Sequence, residues 1–200
     1  MPESVPESPV GGPLVDQPLV DEPLSPRIIS TSLDFEGRVW NVRRDVFEYN
    51  GHELTRDYVD HTGAVAVLVL DEQRRVLLIQ QYRHPIRERD WEIPAGLLDI
   101  EGEDPLVAAK RELGEEVDLT ASEWSHLVTF HSSPGGSNEL ITVFLAQGIS
   151  ATEASYDRTE EEADIVVRWV PLEEVVAGVL AQDLKNSILA IAVLAAHARG

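Results

Sequence analysis

Three glutamates next to an arginine, all on one predicted helix, are the residues of this chain best suited to chemistry. Glu112, Glu115 and Glu116 are spaced so that their carboxylates share one face of a helix, directly after Arg111. Like charges placed this way repel each other by roughly 0.2–0.5 kcal/mol per pair. A divalent cation reverses the sign of that interaction, because hard cations such as magnesium prefer carboxylate and phosphate oxygens. The spacing therefore predicts a metal site, although a merely solvated acidic face has the same pattern.

The helix itself is predicted from its first residues and from an apolar stripe. Asp104 suits the N-cap, because a side-chain oxygen there accepts from the free N–H groups of the first turn. Pro105 suits the first helical position, where no N–H is needed. The stripe that would face the core has spacings of three and four and consists of Leu106, Ala109 and Leu113.

A longer motif surrounds this helix and resembles the Nudix box. From Gly96 to Leu119 the sequence is G-x6-E-x7-R-E-L-x-E-E-x-D-L, where the box is usually G-x5-E-x7-R-E-U-x-E-E-x-G-U with U aliphatic. One extra residue lies before Glu103, in a loop where Gly102 can absorb it. Asp118 replaces the second glycine, and Asp tolerates the left-handed conformation that is common just after a helix. We therefore expect the turn to be retained.

The resemblance to Nudix hydrolases implies an α/β fold, a Nudix-fold α/β/α sandwich with a mixed sheet, preceded by N-terminal antiparallel strands. It also implies cleavage of a nucleoside diphosphate that is linked to another moiety. Glu112 and Glu116 would bind the metal together with the backbone carbonyl of Ala95. Glu115 would help to hold the metals or their waters, and Arg111 would orient the carboxylates through charge-assisted hydrogen bonds. Magnesium is the expected metal, with manganese as the alternative.

Features outside the box resemble ADP-ribose pyrophosphatases, in particular the actinobacterial type, from about Ile28 to the C-terminus. The implied reaction is hydrolysis of ADP-ribose to AMP and ribose 5-phosphate. Another nucleoside diphosphate derivative, such as a sugar nucleotide, NADH or FAD, is the alternative substrate, and a ligand-sensing domain without catalysis is the alternative class. The four features are residues 81–84 leading into 91–98, Pro134 fifteen residues after the box, the acidic loop 160–164, and residues 184–187.

The same resemblance assigns catalytic and diphosphate-binding roles outside the box. Glu162, in the acidic loop ahead of the last strand, would deprotonate or position the attacking water, with Glu161 as the alternative. Arg83 is the candidate for contact with the diphosphate. An ion pair at the end of a strand is the competing interpretation of Arg83.

The nucleoside end of the substrate has its own candidate residues. Glu92 and Pro134 are predicted to contact the substrate. Either Trp40 or Phe47 would stack on the adenine, although packing in the core is an equally good reason for either ring. ADP-ribose pyrophosphatases of this type pair through their N-terminal strands, so a homodimer with a shared adenine site is expected.

The composition of the chain argues against several other binding partners and indicates where the protein is located. The chain has 16 basic and 36 acidic residues, a net charge of −20, which argues against non-specific binding to nucleic acid. It has no cysteine, which excludes disulfides and thiolate metal sites, and its six scattered histidines predict no zinc site. The apolar runs are too short to span a bilayer, and the acidic start does not resemble a signal peptide. We therefore expect a cytoplasmic protein with no membrane partner.

Changes in composition and in the hydrophobic pattern divide the chain into three parts. Residues 1–26 are acidic and rich in proline, and this composition predicts a disordered tail. Residues 27–60 are expected to form the N-terminal strands, and residues 61–200 the hydrolase domain. Alternation and turn signals predict strands at 31–35, 39–49, 52–61, 65–70, 76–82, 91–93, 125–130, 140–145 and 165–170, and helices at 171–180 and 187–198.

Overall fold

A computed structural model describes residues 19–152, 156 and 164–200. The predicted water-positioning residues Glu161 and Glu162, and most of the N-terminal tail, lie outside the described residues. The elements are β1 (Arg27–Glu36), β2 (Asn41–Tyr49), β3 (His52–Asp60), β4 (Ala64–Val69), β5 (Arg75–Arg83), β6 (Glu88–Glu92), β7 (Ala95–Leu97), α1 (Pro105–Val117), β8 (Leu119–His131), β9 (Leu140–Ala151), β10 (Val166–Pro171), α2 (Leu172–Leu180) and α3 (Ser187–Arg199).

Strand β4 lies at the centre of the fold and is covered on both faces. It pairs in parallel with β9 and antiparallel with β7, in a mixed sheet of order β7-β4-β9-β8. Val65, Val67 and Val69 pack towards α1, whereas Ala66 and Leu68 belong to the cluster that includes α2 and α3. Burial on both faces explains why β4 is a continuous apolar run rather than an alternating one. Helices on the two sides of the sheet confirm the predicted α/β/α sandwich.

The N-terminal strands form a separate antiparallel sheet of order β1-β2-β3. Asn50 and Gly51 both adopt positive φ, 52° and 76°, which is the tight hairpin turn that an Asn-Gly pair favours. Every residue of β1 is exposed, including Ile28, Leu33 and Phe35. The sheet therefore has an edge strand with apolar side chains that nothing in the described part of the chain covers.

Several predicted elements have different bounds in the structure. Strand β8 begins at Leu119 instead of residue 125, because the chain leaves the α1 cap directly into pairing with the far end of β9. Strand β6 spans Glu88–Glu92 instead of the predicted 91–93. It starts early because a turn, closed by a 2.8 Å hydrogen bond from the Arg87 N–H to the Arg83 carbonyl, leads directly into Glu88. No helix in the described ranges is long and apolar enough to cross a membrane.

Candidate active site

Helix α1 begins and ends as its sequence predicts. The side chain of Asp104 accepts a hydrogen bond from the Leu106 N–H at 2.9 Å, and Pro105 is the first helical residue. Asp118 has φ 54° and ψ 36°, so it adopts the left-handed conformation that the box glycine would provide. The Asp118 N–H closes the helix by donating to the Gly114 carbonyl at 3.0 Å. These caps hold the glutamates of α1 on a regular helix.

Strand β7 places a glycine directly beneath one of those glutamates. Gly96 lies in β7, opposite Val65 of β4. A Cβ atom on Gly96 would overlap the carboxyl group of Glu112, whose side chain is only 13% exposed. The first glycine of the box is therefore required for a close approach between backbone and carboxylate, a common reason for glycine at a site.

A second glutamate of α1 is bound to the same strand. Glu116 is 4% exposed, and its Oε2 accepts a hydrogen bond from the Ala95 N–H at 3.0 Å. A buried carboxylate is costly unless it is paired or hydrogen-bonded, so this bond both satisfies Glu116 and directs it towards β7. Ala95 and Glu116, which the sequence assigned to one metal site, are adjacent in the structure.

Arg111 links the remaining acids of the box. Its guanidinium donates to the two carboxylate oxygens of Glu103 at 3.2 and 3.0 Å, to Glu112 at 2.6 Å and to Glu115 at 3.0 Å. The hydrogen bonds to Glu103, followed by the charge of Glu112, raise the pKa of Arg111 above its ordinary value. The Arg111 bond in turn lowers the pKa of Glu103. Arg111 therefore contacts all three carboxylates, and the orienting role that the resemblance implies stays a prediction.

The donor atoms around α1 match a divalent cation. Glu112 and Glu116 line a cavity of about 270 Å³ between α1 and β7, together with Ala95 and Gly96. Carboxylate oxygens are the hard ligands that magnesium and manganese prefer. Among the described residues no three acidic or histidine side chains are arranged to hold a metal ion, and Glu112 and Glu115 are hydrogen-bonded to Arg111. The chemistry of the residues fits a metal, and the metal assignment stays a prediction.

The side chains of Arg83 and Glu92 meet diagonally on the hairpin of β5 and β6, where their directly paired neighbours are Glu88 and Ile79. Arg83 Nε and Nη2 donate to the two oxygens of Glu92 at 2.6 and 2.7 Å. The Glu92 side chain is 5% exposed and that of Arg83 is 41% exposed. The structure thus contains the ion pair that was the competing interpretation of Arg83, and Arg83 also lines the cavity beside Glu112. Glu92 acts here as an anchor that orients Arg83.

A wider cleft of about 690 Å³ continues from this cavity to Trp40. Trp40 is 46% exposed, so it is not a core residue. Arg83, Ala95 and Gly96 line both the cleft and the smaller cavity. The cleft and the cavity are therefore one continuous surface. The cleft also includes Asp90, Glu139 and Ile188, to which the sequence analysis assigned no role, and Asn186, which lies in the 184–187 feature of the resemblance. No local motif marks Asp90, Glu139 and Ile188, since they come from three separate segments of the chain.

Phe47 and Pro134 lie elsewhere in this chain. They line a separate cavity of about 560 Å³ between the N-terminal sheet and the loop before β9, together with Arg56 and Tyr58. None of the residues lining that cavity also lines the cleft or the cavity beside Glu112. Of the two aromatic candidates for the adenine, only Trp40 shares a cleft with residues of the box.

A mixed sheet between helical layers, with a glycine-cradled cluster of glutamates on the helix that follows β7, defines a Nudix-type hydrolase. The chain belongs to this family, because the NUDIX domain matches residues 60–190. It is 41% identical over 171 residues to an ADP-ribose pyrophosphatase of Mycobacterium tuberculosis, covering 85% of this chain and 82% of that protein.

Two further comparisons agree with the family. An ADP-ribose pyrophosphatase of Bacillus subtilis is 34% identical over 171 residues, which cover 85% of this chain and 91% of that protein. A crystal structure of an ADP compounds hydrolase superposes with a TM-score of 0.74 at 21% identity, covering 90% of this chain and 96% of that one. The structural match supports the fold, and the two sequence relatives bear on the reaction.

Proposed function

We propose that this protein hydrolyses ADP-ribose to AMP and ribose 5-phosphate with magnesium as the metal. The observation that carries the proposal is the continuity of the site, since one surface runs from Glu112 and Glu116 past Arg83 to Trp40. Such a surface can hold a diphosphate at one end and a nucleoside at the other. The names of the similar proteins from Mycobacterium tuberculosis and Bacillus subtilis support the choice of ADP-ribose.

The residues of the box act on the diphosphate. A bound divalent cation would neutralise phosphate charge and lower the pKa of a water. Glu112, Glu116 and the carbonyl of Ala95 would hold it, while Arg111 keeps the Glu112 and Glu115 carboxylates in place at 2.6 and 3.0 Å. Because the protein carries a net charge of −20, these local arrangements must overcome a general repulsion of phosphates.

Removal of a proton from the attacking water is assigned to a carboxylate outside the described residues. Glu162 is the first choice and Glu161 the alternative, both in the acidic segment ahead of β10. Asp164, the first described residue after this segment, forms an ion pair with Arg89 of β6. This pair places Asp164 against the hairpin of β5 and β6, the hairpin that also carries Arg83 and Glu92.

The adenine is assigned to Trp40. The exposed indole offers a stacking face at the far end of the cleft, and stacking of a base on an aromatic ring is worth about 1–3 kcal/mol. Arg83 would donate to the diphosphate, and Glu92 holds its guanidinium through hydrogen bonds of 2.6 and 2.7 Å. Glu92 therefore serves the substrate through Arg83.

A homodimer through the N-terminal sheet is part of the proposal. The fully exposed β1, with apolar Ile28, Leu33 and Phe35, is the surface suited to a second copy. Light scattering tests this point, and a monomer would remove the shared adenine site. The cytoplasmic location stays a prediction.

The reaction is tested by AMP release with magnesium, offering ADP-ribose, NADH, GDP-mannose and FAD at equal concentration. Preference for ADP-ribose supports the proposal. Better turnover of another compound would keep the Nudix chemistry and replace the substrate. No turnover of any of the four would favour the sensing domain without catalysis.

A further inference from the structure

The indole of Trp40 rests on a buried histidine that the sequence analysis had assigned no role. The rings of Trp40 and His61 are stacked, with centroids 5.4 Å apart and planes inclined by 26°. The His61 side chain is only 5% exposed, whereas Trp40 is 46% exposed. The imidazole therefore supports one face of the indole, although Trp40 as a whole remains exposed.

Both nitrogens of the imidazole have partners that hold the ring. Nδ1 accepts from the Gly63 N–H at 3.0 Å, and Nε2 lies 3.3 Å from Oε1 of Glu139. Because Nδ1 is an acceptor, the proton of the neutral ring is on Nε2 and points to the carboxylate. Gly63 has φ +90°, the left-handed region that lets its N–H turn back towards His61.

The carboxylate of Glu139 is itself fixed. The Ser132 hydroxyl donates to Glu139 Oε2, and the Glu139 N–H donates to Ser137 Oγ at 3.1 Å. The backbone beside His61 is also fixed, since its N–H donates to Asn138 Oδ1 at 2.7 Å. The end of β3 and the loop before β9 thus form one hydrogen-bonded frame around the imidazole.

A second contact restrains Trp40 from the other direction. A Cβ atom on Gly37 would overlap the backbone carbonyl of Trp40, so the turn between β1 and β2 needs glycine at this position. The backbone of Trp40 is thereby set by Gly37 and its ring by His61. Orientation in advance matters for binding, because a side chain ordered before the ligand arrives costs less on association.

From this geometry we infer that His61 is a positioning residue that presents Trp40 to the nucleoside of the substrate. Glu139 and Gly63 hold the imidazole, and the imidazole holds the indole. His61 itself does not touch the substrate in this scheme. The kinetic part of the inference rests on the proposed hydrolysis of ADP-ribose, whereas the placement of Trp40 can be measured without any substrate.

The first experiment observes the indole N–H signals of the four tryptophans by nuclear magnetic resonance in the full-length protein without substrate. Trp40→Phe identifies the Trp40 signal. His61→Ala is expected to shift or broaden that signal and leave the other three in place. His61→Phe, which keeps a ring under the indole, is expected to restore the Trp40 signal towards its original position. His52→Ala, an exposed histidine at the start of β3, is the matched control.

The second experiment measures steady-state kinetics with ADP-ribose. His61→Ala should raise KM about five-fold or more, the loss expected from a misplaced stacking face, with kcat changed by less than about two-fold. Gly37→Ala should have the same effect without touching the imidazole. A purely structural role for His61 would instead lower the melting temperature and the active fraction, which reduces apparent kcat and leaves KM unchanged.

The inference is overturned if the Trp40 signal does not move in His61→Ala, or if it moves while KM stays the same. Glu139→Ala provides a second variant should His61→Ala not fold, and it is expected to change the signal and KM in the same direction. If the unmodified protein does not hydrolyse ADP-ribose, the proposed function fails. In that case the indole signals still test whether His61 positions Trp40, since they are measured without substrate.

Discussion

Gly96 and Glu112 are in such close contact that the Glu112 carboxyl group leaves no room for a side chain at position 96. A side chain on Gly96 would occupy the space of the Glu112 carboxyl group. We therefore expect Gly96→Ala to move Glu112 and to reduce kcat by about 100-fold, the scale of loss when a catalytic group is misplaced by about 1 Å. Circular dichroism should show the fold retained, and kcat with ADP-ribose and magnesium measures the loss.

Gly114→Ala is the matched control for Gly96→Ala, because it also adds one methyl group to the box. A Cβ there would meet the ring of Tyr156 at 3.6 Å, an ordinary van der Waals distance. In the middle of a helix, alanine is more favourable than glycine by about 1 kcal/mol. Gly114→Ala should therefore be at least as stable as the parent. Equal loss of activity in both variants would mean that the cradle under Glu112 is unimportant.

Glu112→Gln and Glu116→Gln test the metal assignment. Each replaces a charged oxygen ligand by an amide of the same size, and we expect kcat to fall at least about 100-fold because metal-assisted hydrolysis is lost. Calorimetric titration with magnesium or manganese should show weaker binding in both variants. Glu123→Gln, an exposed glutamate of β8, should be unaffected. Intact turnover in the two site variants would remove these residues from the metal site.

The ion pair of Glu103 and Arg111 predicts a specific dependence of stability on pH. Since the Arg111 hydrogen bond lowers the pKa of Glu103 below its ordinary 4.5, the charged form stabilises the folded state above pH 4.5. That stabilisation is lost as the pH falls through the lower, folded-state pKa. Glu103→Gln should therefore unfold at a lower urea concentration than the parent at pH 7, and the difference should shrink below pH 4.5.

The control for this pH dependence is Glu101→Gln, an exposed glutamate of the same loop. It should have the same unfolding midpoint as the parent across the pH range. A difference between Glu103→Gln and the parent that stays constant from pH 7 to pH 3 would contradict the assigned cause, because an effect on packing alone does not titrate.

The two roles of Arg83 can be separated by a double-mutant cycle with Glu92. Arg83→Met leaves a buried carboxylate without its partner and should destabilise the protein by about 1–3 kcal/mol. Adding Glu92→Leu should recover most of this stability, because paired apolar residues can replace a buried ion pair. The KM for ADP-ribose should remain raised in the double variant if Arg83 also contacts the diphosphate.

Arg168→Met is the surface control for that cycle, since its contact with Glu174 is 3.8 Å long and exposed. Such pairs contribute about 0–1 kcal/mol. If KM returns to the value of the parent in the double variant of Arg83 and Glu92, Arg83 has only a structural role.

Glu162→Gln and Glu161→Gln decide which carboxylate serves the attacking water. A general base contributes about 100- to 10,000-fold, so loss of the true base should lower kcat within that range and leave KM little changed. Glu160→Gln, the preceding residue, is the control. A loss of only a few-fold in Glu162→Gln would transfer the role to Glu161 or to a residue elsewhere.

Local chemistry was sufficient to predict the helix of the box, and the resemblance of that motif to the Nudix box predicted the class of the protein. Asp104, Pro105 and Asp118 determine their own conformations through caps and left-handed turns that depend only on neighbouring residues. The apolar run at 65–70 likewise predicted a strand, which the structure confirms as β4. The prediction was wrong for the start of β8, because its first residues gain their hydrogen bonds from a partner about thirty residues away.

The rest of the site depended on contacts between distant parts of the chain. The sequence could not choose between Trp40 and Phe47, since both are aromatic residues of one hairpin region, and only the fold places Trp40 alone beside Arg83 and the box. His61 had no motif, because its importance comes from a ring stacked above it and a carboxylate 78 residues later in the chain. Spacing along the chain determines what lies on one helix or strand, whereas packing determines which separate strands and loops share a cleft.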